Sequence, residues 1–168
     1  VVATQSFNGA HAVYSFDFEG VVGQVIKVSK PKGVISIAEV KVTGNFPTMA
    51  PTLSASPTMA YISFDSATAS QSTTCSGGNA QRAIDGSTNY AYNGNSVTHT
   101  CANDGNWWQV DLGKKAVIGV VTVYNRGDCC QSRIDGATIQ VLEGDIVVAT
   151  QSFNGAHAVY TFDFEGVV

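Results

Sequence analysis

The sequence predicts an all-β protein folded as a jelly-roll β-sandwich, and two observations carry this prediction. Val, Thr, Ser, Gly, Asn and Ile displace the residues that favour helices, and only 13% of the 168 residues are charged. Short apolar or alternating segments also recur about every 8–12 residues, separated by polar turn residues. Because 44% of the residues are hydrophobic, the chain can build a sizeable core.

The strands are predicted where apolar residues alternate with polar ones or form short runs. Tyr14, Phe16 and Phe18 alternate with polar residues near the start. A short helix is predicted at residues 80–85, and residues 85–106 read as a long irregular loop of the kind that often carries function. The other predicted strands span residues 24–29, 34–42, 107–112, 116–125, 137–142 and 146–153, with turns at 31–33, 113–115, 143–145 and 154–155.

A near-perfect internal repeat organises the chain. Residues 1–22 return as residues 147–168 with 21 of 22 positions identical, and the one difference is Ser15 against Thr161. An offset of 146 residues indicates a piece of a tandem array. No signal peptide is expected at Val1, because this residue opens in the middle of the repeated pattern.

The repeat predicts three parts. Residues 1–43 are the C-terminal strands of one copy, residues 44–60 are a linker, and residues 61–168 are a domain that lacks its own last strands. Two arrangements remain open for residues 1–43. They pack with a preceding copy, or they fold back and complete the sandwich that begins at Tyr61.

The linker is rich in Pro, Thr and Ser. It holds three of the four prolines, and Pro-Thr-Met-Ala occurs in it twice. Because proline disfavours helices and central strands, we expect an extended and semi-rigid segment. A plain spacer and an O-glycosylated stalk both fit this composition.

Several function classes are excluded by composition and motif. The net charge is −4, and no basic stripe with interleaved aromatic residues suggests a nucleic-acid partner. No run of 18 apolar residues predicts a membrane span. No nucleophile, base and orienting group form a motif, and no pair of carboxylates stands out, so we expect no enzyme.

The most unusual stretch is the polar loop at residues 126–133. Two of the three arginines bracket Asp128 and the adjacent Cys129 and Cys130, between two predicted strands. Loops between strands are where a β-protein usually keeps its binding chemistry. The alternative interpretation is a surface loop of ordinary salt bridges.

The four cysteines predict disulfides rather than a zinc site. The sequence has no Cys-x-x-Cys pattern, and an even count is typical of extracellular proteins. Of the three possible pairings we favour Cys75 with Cys101 and Cys129 with Cys130, although the adjacent thiols could each pair elsewhere. A bridge between neighbours is strained, because their Cα atoms are only ~3.8 Å apart, and such strain usually has a use.

The spacing of the polar residues resembles a known family. His99, then 26 residues, Arg126, Asp128 and Arg133, with adjacent cysteines inside, is similar to the signature of the F-type (fucose-binding) lectins. The chain also resembles this family at residues 67–73, 77–86, 106–113 and 23–43, of which 77–86 and 106–113 are shared with the wider discoidin-like group and 23–43 match the closing strands.

The resemblance implies a site for L-fucose. His99, Arg126 and Arg133 would hold the ring oxygen and hydroxyls, because an arginine fork donates to adjacent hydroxyls without needing a charged ligand. The Cys129–Cys130 disulfide would lie on the face of the sugar. The remaining expectations are that Tyr92, helped by Tyr90, forms an aromatic wall for the methyl group, that Asp128 braces the arginines, and that His11 and His157 are structural.

The resemblance also implies a calcium ion held by oxygen atoms, largely from the backbone. Ser87 stands where the family commonly has Asn, and both cysteines of a family disulfide are absent, their places taken by Ala38 and Val97. The site would lack Glu39 unless residues 1–43 fold back. The positions that match calcium ligands are Arg82, Asp85, Ser87, Ser96, Ala38 and Glu39.

We therefore expect an extracellular or cell-surface lectin module of the L-fucose-binding type within a tandem-repeat protein, adhesive or surface-associated. Its partners would be fucosylated glycans and neighbouring repeat copies. The alternative is a structural repeat of an extracellular filament or coat with no working sugar site. The two are compatible, because repeated weak sites gain avidity along an array.

Overall fold

The fold was analysed in a computed structural model that describes residues 2–4, 15–17, 20–47, 59–87 and 89–165. These residues form ten strands and three short 3-10 helices, and the fold class predicted above is confirmed. The strands are β1 (Val2–Thr4), β2 (Ser15–Asp17), β3 (Val21–Lys32), β4 (Ile37–Asn45), β5 (Ala60–Tyr61), β6 (Thr68–Gln71), β7 (Asp104–Asn125), β8 (Thr138–Glu143), β9 (Ile146–Ser152) and β10 (Val159–Asp163); the 3-10 helices are Ala80–Ile84, Tyr92–Gly94 and Gln131–Ile134.

The sandwich is built around β7, whose 22 residues run through one continuous eight-stranded sheet and belong to both of its layers. The first half of β7 pairs with β6 and β3, and β3 continues the sheet to β8 and β9. The second half pairs with β4 on one edge and with β10 and the start of β3 on the other, and β4 continues to β5. Every pairing is antiparallel.

Two of the predicted turns, at residues 31–33 and 113–115, differ from the structure, whereas a turn at residues 144–145 does join β8 to β9. At residues 113–115 the chain does not reverse, and β7 continues through Gly113, whose φ is +78°. At residues 31–33 the strand β3 extends through Lys32, which pairs with Asp104, so the turn begins at Gly33. In both places the glycine has a positive φ. Gly113 allows β7 to bend, and Gly33 follows the last paired residue of β3. A turn would have the same local sequence in either place.

The core lies between the two sheets and is made mainly by β3, β4, β7 and β8. Trp108 is fully buried, and its indole N–H donates to the carbonyl of Ala80 at 2.9 Å. The 3-10 helix Ala80–Ile84 therefore covers the tryptophan. The other large, fully buried side chains are Phe153, Phe164, Ile26, Ile35, Ile37, Leu112, Ile118, Ile134, Ile139, Val28 and Val40.

The strand pair β3 and β4 completes this sandwich from within the same chain. β3 lies between β7 and β8, and β4 lies between β7 and β5. This is the placement that the fold-back arrangement describes. The duplicated segment at the start behaves differently, since β1 and β2 pair with each other, whereas β9 pairs with β8 and β10 with β7.

Some sequence predictions lie outside the described residues. They concern Tyr14, Phe18, His11 and the central part of the linker, residues 48–58. The ends of the predicted linker belong to strands, because Gly44 of β4 pairs with Ala60 of β5. Within the described residues, no helix is both long and apolar enough to cross a membrane.

Candidate functional site

Two loops meet where β7 ends at Asn125. One is the polar loop, residues 126–133, and the other is the part of the long loop at residues 89–100. The backbone N–H of Gly127 donates to the carbonyl of Tyr90 at 2.8 Å and joins the two loops. The contact holds the loop with Arg126, Asp128 and Arg133 next to the loop that carries His99.

Asn125 organises the polar loop, although sequence reasoning did not single it out. Its side chain is buried and donates to the carbonyls of Gln131 at 3.0 Å and His157 at 2.9 Å. The side-chain oxygen Oδ1 of Asn125 accepts from the backbone N–H of Arg126 at 2.9 Å. The signal in the sequence is an amide residue placed directly after an apolar run, at the start of a loop.

A continuous series of side-chain contacts links the predicted binding residues. The guanidinium of Arg126 lies over the ring of Tyr92 at 4.6 Å. The Tyr92 ring meets the His99 ring edge-on, with centroids 5.6 Å apart. His99 Nε2 lies 3.4 Å from Nη1 of Arg133. The structure thus brings both arginines, the histidine and one tyrosine into a single cluster.

The two arginines have different electrostatic surroundings. Arg126 makes a two-point ion pair with Asp128, from Nε at 2.6 Å and from Nη2 at 2.9 Å. This hydrogen bonding lowers the pKa of Asp128 to about 2 and raises the pKa of Arg126. Asp128 therefore braces one arginine, and Arg133 has no acidic partner among the described residues.

The surroundings of His99 favour its neutral form. Its partial burial lowers its pKa, and the positive charges of Arg133 and then Arg126 lower it further. Because an arginine can only donate, Nε2 is the acceptor in the contact with Arg133 and Nδ1 carries the hydrogen. Nδ1 is buried and has no hydrogen-bond partner within the part of the chain that the structure describes.

The segment that carries His99 is fixed by the chain just before β4. The hydroxyl oxygens of Thr98 and Thr100 accept from the backbone N–H groups of Ile37 and Ile35 at 2.9 and 2.8 Å. The N–H groups of the two threonines donate back to the carbonyls of Ile37 and Ile35 at 2.8 and 3.1 Å. The position of His99 therefore depends on residues from the first segment of the chain.

The other side of the same segment rests on a glycine. The N–H of His99 donates to the carbonyl of Gly78 at 2.8 Å. A Cβ atom at Gly78 would lie 2.6 Å from the backbone nitrogen of His99, so a side chain here would push the histidine away. This close approach explains the glycine within the motif at residues 77–86.

The structure contains the two favoured disulfides. Cys75 is joined to Cys101 with Cα atoms 5.0 Å apart, and the N–H of Cys75 donates to the carbonyl of His99 at 2.9 Å. Cys129 is joined to its neighbour Cys130, which adopts a φ of +64°. Cys129 is exposed and Cys130 is half-buried, so the bridge presents a sulfur surface beside the arginines.

The remaining aromatic and histidine residues have different contacts in the structure. Tyr92 contacts both Arg126 and His99, as described above. The ring of Tyr90 stacks on Tyr124 at 5.3 Å, and its carbonyl holds Gly127, so Tyr90 positions the loop. His157 packs edge-on against Tyr160 at 5.4 Å.

The residues that match calcium ligands gather around Glu39. This side chain is only 4% exposed, and none of the described residues hydrogen-bonds to its Oε2 atom. Burial and the nearby carboxylate of Asp85 raise the pKa of Glu39 to about 7. A buried carboxylate with one unpartnered oxygen, close to a second acid, is an arrangement that a divalent cation would stabilise.

The other matched positions surround this pair. The guanidinium of Arg82 donates to the carbonyl of Val97 at 3.3 Å and to Oδ1 of Asn95 at 3.1 Å, which leaves its own backbone oxygen as the group to offer a metal. Asp85 Oδ1 accepts from the N–H of Ser87 at 2.8 Å. The hydroxyl of Ser96 donates to the carbonyl of Asn89, and Ala38, next to Glu39, is fully buried.

The described residues contain no group of three or more His, Cys, Asp or Glu side chains that could hold a metal. Any ion here would need backbone and hydroxyl oxygens to complete its ligands. The residues present fit a hard cation such as Ca²⁺ and do not fit zinc, which is held by nitrogen and sulfur.

The chain is similar to several known proteins. The family model described as NedA-like, galactose-binding domain matches residues 82–168, just over half of the chain. Fucolectin-3 of Anguilla japonica is 47% identical over 62 residues, which are 37% of this chain and 34% of that protein. Fucolectin of Anguilla anguilla is 44% identical over 62 residues, 37% of this chain and 39% of that protein.

A pentraxin fusion protein of Xenopus laevis is 42% identical over 62 residues, which cover 37% of this chain and 15% of that protein. The matched region thus spans between about a seventh and two fifths of the length of these relatives. No solved structure matches the chain significantly.

Proposed function

Because this chain belongs to the family of NedA-like, galactose-binding domains, we propose that its cluster of two arginines, one histidine and one tyrosine binds L-fucose on glycans. The similarity to fucolectins confirms the resemblance to the F-type lectins, and the chain is a carbohydrate-binding lectin module rather than an enzyme. The observation that carries the proposal is the series of contacts from Arg126 through Tyr92 and His99 to Arg133.

Each arginine keeps donors for a ligand. Asp128 occupies Nε and Nη2 of Arg126, so Nη1 is left to donate to a hydroxyl. Arg133 contacts His99 through Nη1 and keeps Nε and Nη2. Two cations with one carboxylate leave one net positive charge, which suits a neutral, electron-rich array of sugar oxygens better than an anion that needs both charges.

The apolar parts of the sugar would meet two surfaces. We place one face of the ring on the Cys129–Cys130 bridge and the methyl group against Tyr92. L-fucose combines vicinal hydroxyls with a methyl group, which matches this combination of arginine forks and apolar surface. A sugar with a hydroxymethyl group in place of the methyl would bring an additional hydroxyl against the tyrosine ring.

A glycan array probed with the whole chain tests the proposal. We expect binding to fucosylated glycans and none to the same glycans without fucose, with free L-fucose as competitor. Equal binding to both sets, or no binding to either by a chain with an intact thermal transition, would contradict the fucose site and leave the filament or coat alternative.

Replacing both Cys129 and Cys130 by serine should weaken fucose binding without unfolding the domain. The serine pair removes apolar sulfur contact worth on the order of 1 kcal/mol, or about a fivefold loss of affinity. Isothermal titration measures the change. Binding equal to that of the parent chain would show that the bridge does not contact the sugar.

We propose in addition that the Glu39 and Asp85 pair holds Ca²⁺, with backbone oxygens at Arg82, Ser87 and Ala38 and the hydroxyl or carbonyl of Ser96 as further ligands. The ion would neutralise the two buried or neighbouring acids and tie β4 to the loop that leads to His99. The support is the unpartnered Oε2 of Glu39. Disulfides in a lectin module support an extracellular location, and the repeat supports an adhesive or surface-associated array.

A further inference from the structure

The strands β10 and β3 lie end to end along one edge of β7. Asp163, the last residue of β10, pairs with Val120, and the N–H of Phe164 donates to the carbonyl of Gly119 at 2.8 Å. Two positions farther along β7, Ile118 pairs with Val21, the first residue of β3. The two strands run in the same direction and occupy successive places on one edge.

The sequence that starts β3 also follows β10. Gly20-Val21-Val22 recurs as residues 166–168, next to the last described residue. A chain that continued the repeat past β10 would therefore bring a second copy of β3 and β4 to the place that residues 21–45 fill here. Residues 21–45 and the equivalent segment of the next copy would then compete for the same position in the fold.

This position has to be filled for the domain to be stable. Residues 21–45 contribute fully buried apolar side chains, each worth about 1.5–3 kcal/mol on burial. Without them, Trp108 and the inner face of β7 would be exposed to water. The four hydrogen bonds to Thr98 and Thr100 would also be lost. The strand pair with its buried side chains Ile26, Val28, Ile35, Ile37, Val40 and Val42 is thus a necessary part of the sandwich.

Nothing in the contacts specifies which chain must supply the pair. Residues 46–59 connect β4 to β5, and 14 extended residues reach roughly 46 Å. That is longer than a small domain is wide, so the same contacts can form within one chain or between two. We propose that β3 and β4 form an exchangeable strand pair, which one copy of this chain donates to the sandwich of a second copy.

The linker decides when exchange occurs. Within one chain, a connection of this length gives an effective concentration of about 1 mM, so a dilute chain closes on itself. Refolding at comparable protein concentration lets the pair enter a neighbour, as in domain swapping. In a tandem array, the adjacent copies are tethered, and exchange competes at any dilution.

Cysteine pairs across the boundary test the proposal. Thr122 of β7 pairs with Lys41 of β4 on one edge and with Thr161 of β10 on the other. Full chains carrying Thr122→Cys are mixed with full chains carrying Lys41→Cys, unfolded, refolded together at about 1 mM and oxidised. We expect a disulfide-linked heterodimer, identified by intact mass.

The matched control uses the same acceptor. Thr122→Cys mixed with Thr161→Cys should give several-fold less heterodimer, because β10 stays with its own chain. A single chain with both Lys41→Cys and Thr122→Cys should form the bond internally and shows that the geometry allows it. Equal heterodimer yields in the two mixtures would overturn the proposal.

A second pair makes the result independent of one site. Lys27 of β3 pairs with Gln140 of β8. Chains with Lys27→Cys and Gln140→Cys should also link on mixed refolding and not when mixed already folded. Heterodimer at neither pair, with the internal bond formed in the double variants, would show that the strand pair always returns to its own chain.

Discussion

Replacing Arg133 by alanine is expected to abolish fucose binding and leave the fold intact. Arg133 has no acidic partner among the described residues, so its removal leaves no buried charge without a partner. Two charge-assisted hydrogen bonds to the sugar, each worth about 1.5 kcal/mol or more, correspond to a loss of roughly 100-fold in affinity. Titration calorimetry with L-fucose measures the loss, and thermal unfolding reports the fold.

The lysine variant separates charge from geometry. Arg133→Lys keeps the positive charge but replaces the planar fork by a single ammonium, so we expect most of the affinity to be lost as well. Arg126→Ala is a less clean test, because it leaves Asp128 without its ion-pair partner. Lys115→Ala, an exposed residue paired with Glu143, is the control for a general charge effect.

Binding retained by Arg133→Ala within a few-fold of the parent would mean that the ligand does not contact this guanidinium. The predicted fucose site would then be wrong about Arg133, even though the contacts from Arg126 through Tyr92 and His99 to Arg133 are present. Loss of both binding and the thermal transition would instead assign Arg133 a structural role, through its contact with His99.

Much of the site was predictable because its residues are held by local sequence. The adjacent cysteines, the acid two residues after Arg126 and the second arginine lie within one short loop, and their pattern is read directly from the chain. The pairing of this loop with His99 required the family resemblance. No periodicity connects residues 27 positions apart in the sequence.

The parts that sequence reasoning missed depend on tertiary contacts. Asn125 and Asn106 are buried amides that each have a partner far away in the sequence, His157 for Asn125 and Gly33 for Asn106. Asn106 Nδ2 also reaches the nearby carbonyls of Cys101 and Asn103 at 2.7 and 2.9 Å. Such a residue is indistinguishable from a turn asparagine in a sequence. Likewise, the positions of the two tyrosines in the sequence do not show which of them contacts an arginine. In the structure Tyr92 contacts Arg126, and Tyr90 stacks on Tyr124.

The continuity of β7 could not be predicted for a related reason. Gly-Lys-Lys at residues 113–115 is a good turn sequence, and a positive φ at the glycine serves a turn or a bend equally well. The bend forms because β3 pairs with β7 on both sides of it, at Val25 with Asp111 and at Gly23 with Ala116. Long-range pairing thus overrides the local signal.

Glu39→Gln should raise the stability of the domain at pH 8 in the absence of calcium. The pKa of Glu39 is about 7 in the folded chain, against an ordinary value of 4.5. The folded state therefore holds this proton more tightly than the unfolded state does, and the stability that Glu39 contributes is fully present below pH 4.5 and is lost as the pH rises to about 7. The difference corresponds to roughly 3 kcal/mol, because one pKa unit is about 1.4 kcal/mol.

The measurement compares the free energies of unfolding of the parent and Glu39→Gln between pH 4.5 and 8 in a chelating buffer. We expect the two to converge at the acidic end and the variant to be more stable at the alkaline end. Asp145→Asn, which removes an exposed acid, is the control for net charge. Parallel curves would show that Glu39 is not held with a raised pKa.

Calcium should reverse the order of the two proteins at pH 8. An ion bound by Glu39 and Asp85 stabilises the parent chain by mass action, and the amide in Glu39→Gln removes one charged ligand. We expect added Ca²⁺ to raise the melting temperature of the parent and to change that of the variant little. A parent chain whose unfolding does not respond to calcium or to a chelator would rule out the cation, and its pH dependence would then report only the burial of Glu39 beside Asp85.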